Sequence, residues 1–537
     1  MTNELSWPDA SWTLGVNLRT AARIRGDAPL ISFGSDGPAY TVGEVDRLAD
    51  AVAAGLRRLG VQRGDNLLLM LPNEPEMILS WFGAGRMGVV EAPVNTEYRG
   101  AFLEHLVNTS AGKVMVVRDY LVDRVVASAA NMPELETLVV VGDALSVDAP
   151  RFKVVPFGEL LGDAPAVDPD IEPQDLSSIN FTSGTTGPSK GAMMPHAYHH
   201  LMGHRCAELM DLGPGDVYLM PLPLYHIHAQ AIMYACLVSG AAVHFEKKFS
   251  ASEWISTVRR VGATHFTTLG VMLAFILKHP QEDGDDVNPM RRLWACPTPP
   301  KLVSEFEARF AVPEIVTSYG NTEVGMISIA DYDEERPEAV GMIADQFYDV
   351  EVVDDGGRTV PVGQPGEVRV RPKIPWILLQ GYYGMPEQMV EASRNLWFHT
   401  GDVMKVDERG YYYFLDRKDD RIRRRGENIA SLDVEQVLHQ HDRVADVAVV
   451  AVKSEIEGGE DELKASIVFT PGPDVNPELF WGWCDEVLPA FSVPRYLEFL
   501  DQLPKTPTEK VQKFKLRKSG VGASADRLAQ KPAHAGR

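Results

Sequence analysis

The chain has 537 residues, is 45% hydrophobic and carries 75 acidic against 52 basic side chains, a formal net charge of −23. The hydrophobic share supports several buried cores and excludes disorder as the main state, and the acidic balance argues against nucleic-acid partners and anionic membrane surfaces. Four widely spaced cysteines without a Cys-x-x-Cys pair fit reduced thiols in a cytoplasm, with no disulfide frame and no zinc knuckle.

The N-terminus "MTNELSWPDASWTLG" has acids where an export signal needs bases and an apolar run, so a cytoplasmic protein is expected. From 66 to 95, "NLLLMLP", "EPEMILSWFGAGRMG" and "VVEAPVN" read as strand, helix and strand. The same alternation returns between 216 and 269, which predicts parallel sheets covered by helices. The uncharged stretch 219–245 contains Pro221, Pro223 and three histidines, so it reads as buried core and no membrane insertion is expected. Residues 340–372, punctuated by "DDGG" and "GQPG", predict a small antiparallel barrel or sheet. The pattern restarts after "FLDRKDD": helices at "LDVEQVLHQH" and "PELFWGWCDEVLP" and strands at "ADVAVVAVK", "ELKASIVF" and "YLEFLDQL" form a compact α+β unit. Residues 519–537, rich in Ala, Gly and charge, read as disordered.

Chemistry concentrates in a few segments. "INFTSGTTGPSKGAMMPH", 179–196, puts Gly184, Gly187 and Gly191, the hydroxyls of Thr182, Ser183, Thr185 and Thr186, and Lys190 between a strand and a helical pattern. Glycines admit close backbone approach, amides and hydroxyls donate to phosphate oxygens, and lysine adds charge. The spacing is not that of a Walker A loop. "SYGNTEVG" places Thr322 and Glu323 just after Tyr319, where one carboxylate suits Mg²⁺ against triphosphate oxygens. "WFHTGD" ends in Asp402, suited to a ribose diol, and "DRKDDRIRRRGENI" combines six bases with four acids. His196, His199, His200 and His204 could share one broad helical face, but a metal site is not expected there.

Together, in this order, these segments resemble the adenylate-forming superfamily of acyl-CoA synthetases, carrier-protein adenylation domains and luciferases, over about residues 10–517. "PLPLYHIHAQ", "SYGNTE" and "RIRRRGENIASLDVEQVL" look like its bacterial carnitine and crotonobetaine CoA ligase-like branch. The resemblance implies an α/β fold: a large multi-subdomain N-terminal domain of parallel α/β sheets plus a small β-barrel over 1–416, a hinge at 417–420 and a small mobile α+β C-terminal domain over 421–518. It implies ATP/AMP, Mg²⁺ and coenzyme A as cofactors and cosubstrates. The activity implied is joining a carboxylic acid to AMP and passing the acyl group to CoA.

By the same resemblance, Thr182, Ser183, Gly184, Thr185, Thr186, Gly187 and Lys190 hold the β- and γ-phosphates, and Thr322 the α-phosphate. Glu323 holds the metal, Tyr319 lies at the nucleotide, and Asp402 and Arg417 take the ribose. Asp419 is the hinge, Lys510 in "PKTPTEK" the adenylation lysine, and Gly426 part of the pantetheine tunnel, with Arg423, Arg424 and Arg425 offered to CoA phosphates. His226 matches an aromatic gate, and His228 and Gln230 begin the acyl pocket along "AIMYACL". A homodimer is possible, since dimers are common among homo-oligomers.

Two departures from the family pattern stand out. "WACPTPP" replaces the usual turn against adenine at Ala295, Cys296 and Pro297, and Glu509 precedes Lys510 where glycine is usual. They keep open a specialist that only thioesterifies a supplied adenylate. An enzyme that loads a carrier protein and a non-catalytic nucleotide binder are further readings.

Overall fold

The computed structural model describes residues 7–162, 170–182, 189–269, 272–296, 300–417, 421–455, 459–473, 475–504, 511 and 513–530. The chain forms two compact units that divide at Asp416–Arg417, with the earlier stretches Glu97–His105 and Thr182–Lys190 grouped into the second.

The first unit is built on two sheets. One has eight strands in the order Gly381–Tyr382, Lys190–Pro195, Leu176–Thr182, Val90–Pro93, Asn66–Met70, Val114–Arg118, Thr137–Val141 and Lys153–Pro156, and its central part is parallel. All five residues of Asn66–Met70 are buried, as expected of a strand covered on both faces. The helix Pro75–Met87 that follows starts with proline, whose missing N–H would have no partner there anyway, and stops at Gly88 with φ 65°. It is apolar almost all round and therefore buried. Its single cation, Arg86, is neutralised by Asp46 and Asp50, which also pair with Arg19.

The other sheet has thirteen strands. Parallel strands such as Val217–Met220, His265–Leu269 and Arg292–Cys296 run into an antiparallel region that includes Gly325–Asp331, Tyr348–Val353, Gly366–Pro372 and Phe398–Val406. The small β-rich region expected at 340–372 lies in that antiparallel part.

The second unit has a four-stranded sheet in the order Val444–Val452, Glu462–Phe469, Tyr496–Phe499, Ala525–Asp526. Its core includes Ile422, Ile429, Val447, Phe480, Trp481 and Leu497, with Tyr98 and Phe102 packed against it.

The disordered tail expected at 519–537 is corrected over its first part. Ala525–Asp526 adds an edge strand to Tyr496–Phe499, and Arg495 pairs with Asp526 at 2.9 Å. Fully buried Lys464 donates to Ser519 Oγ at 3.0 Å and to the Gly520 carbonyl at 2.7 Å. A buried ammonium needs acceptors: Glu498 pairs with it at 3.1 Å, and this segment supplies two more. Among the described residues no helix is long and apolar enough to cross a membrane.

Candidate active site

The strands Glu314–Asn321 and Gly325–Asp331 form a hairpin whose turn carries Thr322 and Glu323. Asn321 shapes the turn: its Oδ1 accepts the N–H groups of Glu323, at 3.1 Å, and Val324, at 3.0 Å. Tyr198 donates its hydroxyl to the Thr322 carbonyl at 2.8 Å. Glu323 is buried, its Oε1 accepts the Tyr382 hydroxyl at 3.1 Å, and its carbonyl accepts the Leu379 N–H at 3.0 Å. A carboxylate held this way, with substrate phosphates completing the shell, fits the oxygen-rich and partly hydrated coordination that Mg²⁺ prefers.

Asp402 sits in the strand Phe398–Val406, directly after Gly401, whose φ of 71° only glycine adopts without strain. Its Oδ2 accepts the Tyr319 hydroxyl at 2.7 Å, and its own N–H goes to Thr400 Oγ1 at 3.1 Å. Tyr319 also stacks near Phe414, with ring centroids 6.5 Å apart. The first unit therefore brings Tyr319 to Asp402 and fixes Thr322 and Glu323 on one turn.

His226 caps the helix Ile227–Ser239, with Tyr225 edge-on to its ring at 4.8 Å. The preceding loop is fixed by Asn73, whose side chain donates to the Leu222 carbonyl at 2.9 Å and accepts the Leu224 N–H at 2.8 Å. His228 lies against Trp294, with centroids 4.4 Å apart, and its Nε2 is 3.3 Å from Thr267 Oγ1. Gln230, expected with His228 to begin the acyl pocket, is bonded to a carboxyl. Its amide donates to Glu91 Oε1 at 2.7 Å, both side chains are buried, and burial pushes the Glu91 carboxyl well above its usual range. Ala231 to Leu237 are likewise packed into the core.

The histidine group is dispersed in its partners. His196 Nδ1 accepts the Leu14 N–H at 3.3 Å, His199 Nε2 meets Ser178 Oγ at 2.8 Å, and His200 stacks on Trp12 at 4.5 Å. Burial lowers His196 to about 4 and His199 and His200 to about 3. Among the described residues no group of three or more His, Cys, Asp or Glu is placed to hold a metal.

Thr182 closes the strand Leu176–Thr182 and Lys190 opens the adjacent strand Lys190–Pro195, so the described residues on either side of the glycine-rich segment stand at neighbouring strand ends. Ser183, Gly184, Thr185, Thr186 and Gly187 lie outside the described residues, as do Pro297, Asp419, Glu509 and Lys510. Arg417 ends the strand Tyr412–Arg417. Just after the loop, the Ser189 carbonyl accepts from His105 Nε2 at 2.8 Å. Its N–H goes to Asp433, whose carboxyl burial raises to about 7.

Gly426 sits in the turn joining Arg421–Arg424 to Glu427–Ala430. The arginines beside it have different fates. Arg423 pairs with Glu460, at 3.0 Å. Arg424 is buried, pairs with Glu462 and donates to the carbonyls of Phe491, at 3.1 Å, and Val493, at 2.6 Å. Sequence reading passed over Tyr198, Tyr382, Asn73 and Glu460. Each acts on a partner 34 or more residues away, and no local pattern marks such a pairing.

A large α/β unit with a glycine-rich loop between strand ends and a hairpin carboxylate, followed by a small α+β unit, is the architecture of adenylate-forming enzymes. The chain belongs to the AMP-binding enzyme family: residues 18–383 match the family's main domain and residues 433–510 its C-terminal domain. It is 30% identical over 470 residues to a crotonobetaine/carnitine–CoA ligase of Salmonella enteritidis, covering 86% of this chain and 89% of that protein. Among solved structures, a Mycobacterium tuberculosis fatty acyl CoA synthetase superposes with a TM-score of 0.68 at 25% identity, over 95% of this chain and 99% of that one. An amide bond synthetase from Marinactinospora thermotolerans shares the fold with a TM-score of 0.80 at 23% identity, over 94% and 99% of the two chains.

Proposed function

We propose that this enzyme is an acyl-CoA ligase that performs both half-reactions. In the first, a carboxylate oxygen of the acid attacks the α-phosphorus of ATP and pyrophosphate leaves. In the second, the CoA thiol attacks the acyl carbon, AMP leaves and the thiol proton passes to solvent. Because a carboxylate is a poor electrophile, it is activated as the adenylate before the thiol attacks, and the activating step itself is a task of positioning and charge neutralisation. Thr182 to Lys190 take the β- and γ-phosphates, Thr322 the α-phosphate, Asp402 and Arg417 the ribose, and Tyr319 fixes Asp402. Glu323 holds the Mg²⁺ that neutralises phosphate charge when bound. Lys510 serves adenylation, Asp419 is the hinge, and Gly426 lines the path of the thiol. His226 gates that path, and the acid lies on the side of His228.

The observation that carries this reading is the turn Asn321–Val324, where Glu323 is held by Tyr382 beside Thr322 in a chain matched by both domains of the family. The environment of His228, with Trp294 and Thr267, favours a medium or bulky acid bearing a polar group.

Screening carboxylic acids with ATP, Mg²⁺ and CoA by thioester mass tests the reading, with pyrophosphate release as the second readout. Thioester formation with matched pyrophosphate and CoA-dependent AMP release is expected for at least one acid. Thioester from a preformed acyl-adenylate without pyrophosphate release from ATP would instead establish the specialist suggested by Glu509 and the altered adenine turn. AMP release that depends on added CoA would argue against a carrier protein as acceptor.

A further inference from the structure

Lys510, outside the described residues, is followed directly by Val511 and then by the helix Lys513–Lys518. Residues 511–530 lie beyond the part of the chain that matches the family's C-terminal domain, which ends at 510. The helix is held at both ends. Lys513 Nζ donates to Ser431 Oγ at 2.7 Å and to Glu435 Oε1 at 2.6 Å, which ties its start to the helix Ser431–Leu438. At its end, the Ser519 N–H goes to the Lys515 carbonyl at 3.0 Å and the Gly520 N–H to the Arg517 carbonyl at 2.9 Å. Ser519 Oγ donates to the Leu516 carbonyl at 2.8 Å, and Gly520 turns the chain with φ 60°, which glycine adopts without steric cost.

Lys464 fastens that helix end to the sheet. Its ammonium is fully buried in the strand Glu462–Phe469 and has three protons to place. Glu498 takes one, at 3.1 Å, and Ser519 Oγ and the Gly520 carbonyl take the other two. Two of its three acceptors are therefore the residues that stop the helix, and without them a buried charge keeps a single partner. From there the chain runs to Ala525–Asp526, which pairs with Tyr496–Phe499 and is closed by Asp526 on Arg495. Val511 before the helix, Leu516 within it and Val521 after it pack on one apolar cluster with Val450, Tyr496 and Leu503.

We propose that residues 519–526 are a strap that serves the adenylation half-reaction, and that Lys464 is a positioning residue acting through it on the footing of the chain that carries Lys510. The proposal rests on the reading of Lys510 as the adenylation lysine. A lysine that brings its charge to a reacting phosphate depends on a fixed backbone, and a misplacement of about 1 Å costs up to about 100-fold in rate. Thioester formation from a finished adenylate does not use Lys510. A loosened footing therefore slows the first half-reaction and spares the second.

The test uses the full-length enzyme with Lys464→Met and, separately, the double variant Val521→Asp/Asp526→Ala. Both positions of the double variant are partly exposed, so it carries the test if Lys464→Met does not fold. Three quantities are measured: amide hydrogen exchange over residues 511–518, ATP–pyrophosphate exchange with an acid that the wild type converts, and thioester formation from the preformed adenylate of that acid and CoA. Both variants are expected to exchange amides faster over 511–518 and to lose about 10- to 100-fold in pyrophosphate exchange at an unchanged KM for ATP. Thioester formation from the adenylate is expected to stay within about twofold of the wild type. Unchanged amide exchange would overturn the strap as a footing. Faster amide exchange with normal pyrophosphate exchange would overturn its coupling to Lys510, and equal loss of both half-reactions would reduce it to a support of the whole unit. The ligase reading fails separately: a wild type that makes thioester only from a supplied adenylate removes that reading and this inference together, whereas a wild type that performs both half-reactions with indifferent variants removes only the inference.

Discussion

The hydroxyl of Tyr319 donates to Asp402 Oδ2 at 2.7 Å, across 83 residues of chain, and both side chains are buried. A hydrogen bond to a charged acceptor contributes more than a neutral one, and a buried carboxylate that loses it keeps its desolvation cost. Tyr319→Phe is therefore expected to destabilise the first unit by about 1–3 kcal/mol. Because Asp402 is the proposed ribose ligand, the same change should raise the KM for ATP more than it lowers kcat. Urea unfolding and ATP-dependent pyrophosphate exchange measure the two effects. Unchanged ATP KM in a destabilised variant would leave the pair a structural one.

Glu323 is clamped by one short segment, through its Oε1 to Tyr382 and its carbonyl to the Leu379 N–H. Removing its charge should be far worse than loosening it. Glu323→Gln is expected to slow pyrophosphate release by about 100-fold or more, in line with the loss of one electrostatic group at developing charge. Tyr382→Phe should cost only about 3- to 10-fold and shift half-saturation by Mg²⁺ upward. A Mg²⁺ titration of both variants checks this, and an unmoved Mg²⁺ dependence in both would remove Glu323 from the metal.

The hairpin beneath Glu323 depends on two glycines for different reasons. A Cβ on Gly320 would lie 2.1 Å from the Gly325 carbonyl oxygen and 2.9 Å from Met326 Cα, so only backbone movement could relieve it. At Gly325 a Cβ meets nothing nearer than 3.4 Å, but φ is 71°. Gly320→Ala is expected to destabilise by more than about 3 kcal/mol and to depress adenylation, and Gly325→Ala to cost about 1 kcal/mol. Equilibrium unfolding of the pair gives the ranking, and the reverse order would contradict the clash.

Much of the architecture was legible because local rules and burial agree. Asn66–Met70 is an unbroken apolar run that packs on both faces, and the proline and glycine bounding Pro75–Met87 mark its ends. Residues 519–530 were misread because composition does not reveal that buried Lys464 needs acceptors there. At the site, the motifs pointed to Tyr319, Glu323 and Asp402 one by one. The links that orient them run through side chains 59 and 83 residues apart, and such distances leave no periodicity in a sequence. The run Arg423–Arg425 was visible as charge, while its division into a paired, a buried and an exposed side chain depends on Glu460 and Glu462.

The buried histidines of the helix His196–Leu209 predict an acid-side loss of stability. His199 is held down to about 3, first by burial and then by neighbouring His196; His200 is held down to about 3 by burial and then by His204. An unfolded histidine titrates near about 6.5. Between that pH and roughly 3 the unfolded chain binds protons that these folded side chains refuse, so stability falls as pH drops through the window and is fully present above it. Each group contributes a slope of up to about 1.4 kcal/mol per pH unit. Glu74 and Asp433, both raised to about 7 chiefly by burial, act with the opposite sign, because the folded protein takes up their protons first. The informative quantity is therefore a difference between proteins. His199→Gln keeps a polar group near Ser178 but cannot titrate, and its stability between pH 5 and 6.5 should depend on pH less steeply than the wild type's by about 1 kcal/mol per pH unit. Parallel curves from urea unfolding at a series of pH values would show that His199 binds its proton equally well in both states.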